Sequence, residues 1–178
     1  MGALNNPEVG KYIDEHCVAS YQKVATFKIV NGQKQGGNVA SYFCTPEGRV
    51  LHAIAGPVDA ETFLREARWA NDTYQLALTG NPPTEQVQRF MRKAHLERLQ
   101  RQHGVPLPAH RLPSPAAINA KTLDLLLAQN HKLALDNAGK VHLLLAVGAM
   151  PRLEHVYAPL FERILNEKIS TNPVIAGR

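Results

Sequence analysis

The chain has 178 residues, is 44% hydrophobic and 20% charged, and carries a formal net charge of +5. These proportions are those of a globular protein, and they exclude a chain that is disordered throughout. The sequence contains no apolar run of about 18 residues, so it predicts no membrane span, and it begins without the basic-then-apolar pattern of a secretory signal.

The first predicted element is a short helix that ends near His16. Asn6, Pro7 and Glu8 supply a side-chain cap, a proline at the first helical position and an acidic first turn. Residues 17–29 are rich in β-branched and aromatic side chains and predict a strand, whereas the composition of residues 31–38 is typical of a loop. Two further strands, 39–44 and 50–55, are predicted to pair through a tight turn at 45–48.

Asp59 begins the clearest helix of the sequence, which carries apolar residues on two faces. One face follows the helical period through Phe63 and Leu64, and Trp69 and Leu76 lie on the second. A helix that is apolar on two faces is usually covered on both. We therefore expect one face to cover the sheet and the other to receive the C-terminal half of the chain.

The C-terminal half is predicted to be mainly helical. Thr84 opens a helix that stops at Gly104, a second runs from Ser114 to about Asn137, and a third covers 152–168. Residues 141–147 fit either a helix, which their spacing favours, or a buried strand. Residues 81–178 carry a net charge of +6, whereas residues 1–80 carry −1. We therefore divide the chain into a core, 1–80, and a helical extension, 81–178, with a proline-rich connector at about 105–115.

Residues 4–79 resemble the second half of a thioredoxin-like domain. The run NNPEVGKYIDEHCVASYQ is similar to the helix and strand after the active-site turn, and ASYFCTPEGRVLHAIAGPVDAETFLREA to the closing hairpin and final helix. The resemblance implies an α/β fold: a thioredoxin-like sheet-and-helix core, partial or permuted, followed by a mainly α-helical extension. The family's Cys-x-x-Cys turn is missing, and Ala40 stands where the family has a cis-proline.

The resemblance leaves one gap, because the family's active-site strand would lie between strands 17–26 and 39–44. Three arrangements would fill it. The strand lies upstream of this sequence, or residues 141–147 supply it in a permuted domain, or the strands pair differently in a smaller sheet.

Candidate functional residues are few. Cys17 and Cys44 are the candidate redox thiols, although free cysteine is more often a small buried side chain. None of the eight histidines stands at metal-ligand spacing from a carboxylate or thiolate, so the sequence predicts no metal, no cofactor and no catalytic residue. A candidate basic face for partner binding comprises Arg89, Arg92, Lys93, Arg98 and Arg101.

These observations favour a non-catalytic thioredoxin-like module that binds or scaffolds another protein. One alternative is a thiol–disulfide oxidoreductase whose active-site strand and cysteines lie upstream of this sequence. A second is a binder of nucleic acid or acidic partners through the basic helix, although nucleic acid is disfavoured by the lack of interleaved aromatic residues. Localisation and oligomeric state are left open.

Overall fold

The computed structural model of the protein describes residues 2–21, 38–107 and 134–167, the backbone of 28–30 and 33–35, and four single residues, Lys121, Leu125, Ala128 and Ile169. The described residues form a mixed α/β protein that is mostly helical. Most of the helix predicted from Ser114 to about Asn137 lies outside the described residues, as does the connector beyond residue 107.

The N-terminal helix begins where the sequence predicts it. In α1, Pro7–His16, the side chain of Asn6 accepts a hydrogen bond from the backbone N–H of Glu8 at 2.8 Å. This bond satisfies one of the backbone donors that every helix leaves free at its first turn. Val9, on the inner face of this helix, is fully buried.

The strand predicted from Cys17 is wrong for residues 17–21, which have no regular structure. The segment predicted as a loop, 31–38, contains a strand, β2, Gln33–Gln35. This strand pairs antiparallel with β1, Lys28–Val30. Strand propensity becomes a strand only beside a partner strand, and the partner of β1 is its immediate neighbour in sequence.

The second hairpin follows the prediction. Strand β3, Ala40–Cys44, pairs antiparallel with β4, Val50–Ala55, and the register sets Phe43 opposite His52. The turn closes through a 2.9 Å hydrogen bond from the N–H of Gly48 to the carbonyl of Thr45, and Gly48 takes a φ of 75° that favours glycine.

Helix α2, Ala60–Ala77, starts at the predicted cap, where Asp59 accepts a 2.7 Å hydrogen bond from the N–H of Thr62. Its first face packs Phe63 and Leu64 against Ile54 of the hairpin. On its second face, Trp69 contacts the later helices, whereas Leu76 is 62% exposed. The second face is therefore covered at Trp69 and open at Leu76.

Helix α3, Thr84–His103, ends at Gly104, which adopts the left-handed conformation at φ 66°. Helix α4, Asn137–Gly148, contains residues 141–147, so this segment is a helix and the permuted arrangement that needed it as a strand is wrong. Helix α5, Leu153–Pro159, continues into a π-helical turn, Leu160–Ile164. The helix predicted over 152–168 is therefore present but ends earlier, because residues 166 and 167 have no regular structure.

From Val141 to its end, helix α4 is buried on every side, and this explains why that part of the sequence is apolar enough to suggest a strand. One side packs Val141 and Leu145 against Val50 of β4, and the opposite side packs Leu143 against Leu99 of α3. The helix thus lies between the hairpin and α3. None of the helices in the described part of the chain has the length and apolar character needed to cross a membrane.

We expect Trp69→Ala to lower the free energy of unfolding by about 3 kcal/mol, because it removes a large side chain between α2 and the later helices. Leu76→Ala is the matched control on the same face, and its exposure predicts a loss below about 0.5 kcal/mol. Urea unfolding measures both. Equal losses would show that Trp69 does not connect the two parts of the chain.

Candidate metal centre

Three buried histidines meet at the junction of β4, α3 and α4. His52, His95 and His142 are only 3%, 2% and 1% exposed. One ring nitrogen of each lies within 4.8 Å of one nitrogen of each of the others. The ring centres of His52 and His142 are 5.1 Å apart, those of His95 and His142 are also 5.1 Å apart, and those of His52 and His95 are 5.9 Å apart.

The hydrogen bonds of His95 fix the proton positions on two of the three rings. Nε2 of His95 lies 2.9 Å from the carbonyl oxygen of Leu51, so this nitrogen carries the proton and donates. Nδ1 of the neutral ring is then an acceptor. It lies 2.8 Å from Nδ1 of His142, which must donate to it.

The His52 ring is oriented by an acidic side chain on α2. Its Nε2 lies 3.1 Å from Oε2 of Glu66 and donates to it. Glu66 also accepts two hydrogen bonds from the Arg98 guanidinium, at 2.5 Å and 3.1 Å. With Nε2 protonated, Nδ1 of His52 carries the lone pair, and this buried atom has no hydrogen-bond partner among the described residues.

Trp69, the only tryptophan in the sequence, packs edge-on against all three imidazoles. Its ring centre lies 5.0 Å from that of His52, 5.1 Å from that of His95 and 5.5 Å from that of His142. Cζ of Arg98 lies 4.4 Å from the centre of the Trp69 ring, within range of a cation–π interaction. Trp69 therefore contacts the guanidinium and all three imidazoles at once.

The surroundings keep all three histidines uncharged near neutral pH. The pKa of His95 is lowered to about 3, chiefly by burial, and the nearby His52 and Arg98 act in the same direction. Burial also lowers the pKa of His142 well below its usual value, with His95 and His52 acting in the same direction. The pKa of His52 is lowered by burial as well, although the hydrogen bond and charge of Glu66 oppose this. Neutral imidazoles are the form that binds metal.

Glu66 behaves in the opposite way. Burial alone would raise its pKa, but the hydrogen bonds from His52 and Arg98 and the guanidinium charge hold the pKa of Glu66 well below its usual value. The carboxylate is thus ionised and paired, as a buried charge must be.

The two cysteines are not part of this site. Cys17 and Cys44 are both free and exposed, and neither belongs to the histidine group. Nearby protein nonetheless desolvates the thiols, which raises the pKa of Cys17 and raises that of Cys44 to about 11. Both are therefore protonated thiols at neutral pH and poor nucleophiles.

The predicted basic face is divided between the surface and the interior. Arg98 is 8% exposed and bound to Glu66. Arg92 donates hydrogen bonds of 2.8 Å to the carbonyls of Ala146 and Val147 at the end of α4. The other three residues of the predicted face lie on the exposed side of α3: Arg89, Lys93 and Arg101. Each is close to a glutamate one helical turn away.

Sequence reasoning missed the histidine cluster, because its members come from three distant segments with no local ligand spacing. The available signal was weaker. His52 and His142 each interrupt an otherwise apolar run, VLHAIA and VHLLLAV. A polar residue in such a run must find a partner in the core, but the sequence does not say which one.

No protein-family profile, curated protein or solved structure matches this chain. The thioredoxin resemblance therefore stays a prediction, and the function is argued from the site itself.

We expect the metal-free protein to lose stability as the pH falls below about 6.5. The unfolded chain takes up protons on its histidines at their ordinary pKa, whereas the folded chain holds His52, His95 and His142 neutral. Each of the three then lowers the free energy of unfolding by up to about 1.4 kcal/mol per pH unit, until the pH falls through its folded-state pKa. Urea unfolding in EDTA between about pH 7 and pH 5 measures the slope.

The control for this slope is His155→Asn, which alters an exposed histidine and leaves the slope unchanged. His142→Phe removes one buried histidine and reduces it. Stability that does not vary over this pH range would contradict the buried, neutral state of the cluster.

We expect Glu66→Gln to lower the free energy of unfolding by about 3 kcal/mol, because it leaves the Arg98 guanidinium buried without a carboxylate. Removing both charges in Glu66→Gln/Arg98→Met restores part of that loss. Glu97→Gln is the matched control, since the partners of Glu97 among the described residues, Lys93 and Arg101, are both exposed, and its effect stays below about 1 kcal/mol. Similar losses for the two single variants would contradict the role given to the buried pair.

Proposed function

We propose that this protein binds a divalent transition-metal ion through His52, His95 and His142. The observation that carries the proposal is the convergence of three neutral, buried imidazoles, one of which, His52, has an Nδ1 with no hydrogen-bond partner among the described residues. Imidazole nitrogen is a ligand suited to Zn²⁺, Co²⁺, Ni²⁺ and Cu²⁺.

The spacing of the rings supports the proposal. Two histidines on one tetrahedral zinc ion, with Zn–N distances of about 2.0–2.1 Å, have ring centres on the order of 5 Å apart. The three separations here are 5.1, 5.1 and 5.9 Å. Small ring rotations are therefore enough to accommodate the ion.

The hydrogen bond between His95 and His142 would be replaced on binding. Their Nδ1 atoms are 2.8 Å apart, whereas two nitrogens on one tetrahedral ion lie on the order of 3.3 Å apart. The ion would take the place of the shared proton. The His142 ring stays neutral if that proton moves from Nδ1 to Nε2.

Outer hydrogen bonds also support metal binding. The Leu51 carbonyl accepts from Nε2 of His95, and the Glu66 carboxylate accepts from Nε2 of His52. Both bonds direct the lone pair to Nδ1 of the same ring. Backbone carbonyls and carboxylates hold metal-binding histidines in this way in known metal sites.

The competing interpretation is a core of hydrogen-bonded aromatic rings that binds nothing. It accounts for His95, whose two nitrogens both have partners. It does not account for His52, because an unpaired buried nitrogen costs on the order of 1–3 kcal/mol. A metal ion would use that nitrogen and would join β4, α3 and α4. The burial of the rings favours an ion that stabilises the fold over one that is open to substrates.

We expect the protein to bind one Co²⁺ or Zn²⁺ ion per chain, and its free energy of unfolding to rise with the logarithm of the free ion concentration once that exceeds the dissociation constant. Calorimetric titration gives the stoichiometry, and visible absorption of the Co²⁺ form reports a nitrogen-ligated tetrahedral ion. Quenching by Cu²⁺ of the single tryptophan, Trp69, reports binding at this cluster, because its ring lies 5.0–5.5 Å from all three imidazoles.

The decisive variants are His52→Asn and His142→Asn, each expected to weaken binding at least tenfold. His155→Asn is the matched control and leaves binding unchanged, because His155 is exposed and outside the group. Absence of saturable binding in the wild type, or full binding in a variant that combines His52→Asn with His142→Asn, would refute the proposal.

The protein-binding role implied by the thioredoxin resemblance is a separate proposal. It is supported by the exposure of Val18 and Tyr21, two apolar side chains that follow Cys17 within four residues and are almost completely open to solvent. The oxidoreductase alternative gains no support from Cys17 and Cys44, whose thiols are protonated at neutral pH.

A further inference from the structure

A fourth histidine lies between the metal centre and the surface. Nδ1 of His103, at the end of α3, is 3.6 Å from Oδ1 of Asp136, and the Asp136 side chain is 68% exposed. The His103 side chain itself is 14% exposed, and its ring centre lies 6.5 Å from that of His142. Asp136, His103 and His142 are thus three groups of increasing burial, each close to the next, and each has a side chain of a type that can bind a metal ion.

The proximity of Asp136 selects one nitrogen of His103 as a ligand. A carboxylate near Nδ1 favours the proton on that atom, which leaves the lone pair on Nε2. Nε2 of His103 is buried and has no hydrogen-bond partner among the described residues. It is therefore a second unused imidazole nitrogen close to the cluster.

We propose that His103 and Asp136 form the route by which the metal ion enters and leaves the centre. This inference rests on the proposed function. Asp136 attracts the cation at the surface, and His103 then holds it briefly through Nε2 before it passes to His142. An ion held between two imidazoles on opposite sides places the ring centres on the order of 6 Å apart. The observed 6.5 Å suits such a passing contact.

The geometry assigns His103 to the route and not to the final coordination sphere. Its ring is farther from His142 than the 5.1 Å that separates His142 from His52 and from His95. It also lies outside the group whose nitrogens are within 4.8 Å of one another. A fourth ligand would need ring separations on the order of 5 Å to its neighbours.

The first turn of α4 leaves room for the His103 ring. A Cβ atom built at Gly139 would lie 3.1 Å from Nδ1 of His103 and 2.8 Å from Cδ2 of Leu135. Glycine at this position therefore permits the close approach of His103 to α4. Glu66 and Trp69 contact the imidazoles from α2, and Arg98 contacts both of these side chains.

The experiment is stopped-flow mixing of the full chain with Co²⁺, followed by release to excess EDTA. His103→Phe keeps an aromatic ring and removes the ring nitrogens. In this variant we expect the association and dissociation rate constants of Co²⁺ to fall at least tenfold. The dissociation constant stays within about twofold of the wild type, because a change in the route alters both directions alike. In Asp136→Asn, association slows at least threefold through loss of the attracting charge.

The Asp136→Asn variant removes the charge without removing the cap of α4, so a change in rate cannot be due to a damaged helix. Asp136 caps α4 by accepting a 2.8 Å hydrogen bond from the N–H of Gly139, and asparagine caps equally well. His16→Phe, at an exposed histidine far along the chain, is the control and leaves both rates unchanged.

Unchanged rates in both variants would overturn the route. A dissociation constant that weakens in His103→Phe as much as in His52→Asn would also overturn it, by making His103 a ligand of the bound ion. Failure of the proposed function gives a different result, since the wild type would then bind no Co²⁺ and both proposals would fall.

Discussion

The ion pair between Glu66 and Arg98 is the interaction on which the centre of this protein depends. It joins α2 to α3 across two hydrogen bonds, and its carboxylate also holds the His52 ring of β4. A buried charge is tolerated only when it is paired and its remaining lone pairs are used. Because Glu66 meets both conditions, three imidazoles and an indole can pack around the pair without an uncompensated charge.

The same physics explains why α3 is more than a basic surface helix. Arg98 is drawn into the core by Glu66 and Trp69, and Arg92 reaches the last carbonyls of α4, which no residue of its own helix can satisfy. These two side chains attach α3 to its neighbours. The residues at the surface of the same helix are paired with glutamates one turn away, an arrangement that adds little stability.

The three histidines share two properties: their rings are neutral, and the proton positions on the rings are fixed by hydrogen bonds. The imidazoles are kept neutral by burial, and two of their nitrogens are fixed as donors by the Leu51 carbonyl and by Glu66. A purely structural core would gain as much from apolar side chains of the same size. The proposed ion would bind the unpaired Nδ1 of His52. It would contact the unpaired Nε2 of His103 on its way in and out.

The sequence by itself determined the local elements whose signals are local: the Asn6 and Asp59 caps, the hairpin turn at Gly48 and the end of α3 at Gly104. Each of these depends on a few neighbouring residues. Only the tertiary structure decided that residues 141–147 form a helix, because a helix buried on all sides and a buried strand have similar compositions. It also decided the cluster of His52, His95 and His142, which come from segments more than forty residues apart. No spacing in the sequence could reveal that packing brings their nitrogens together.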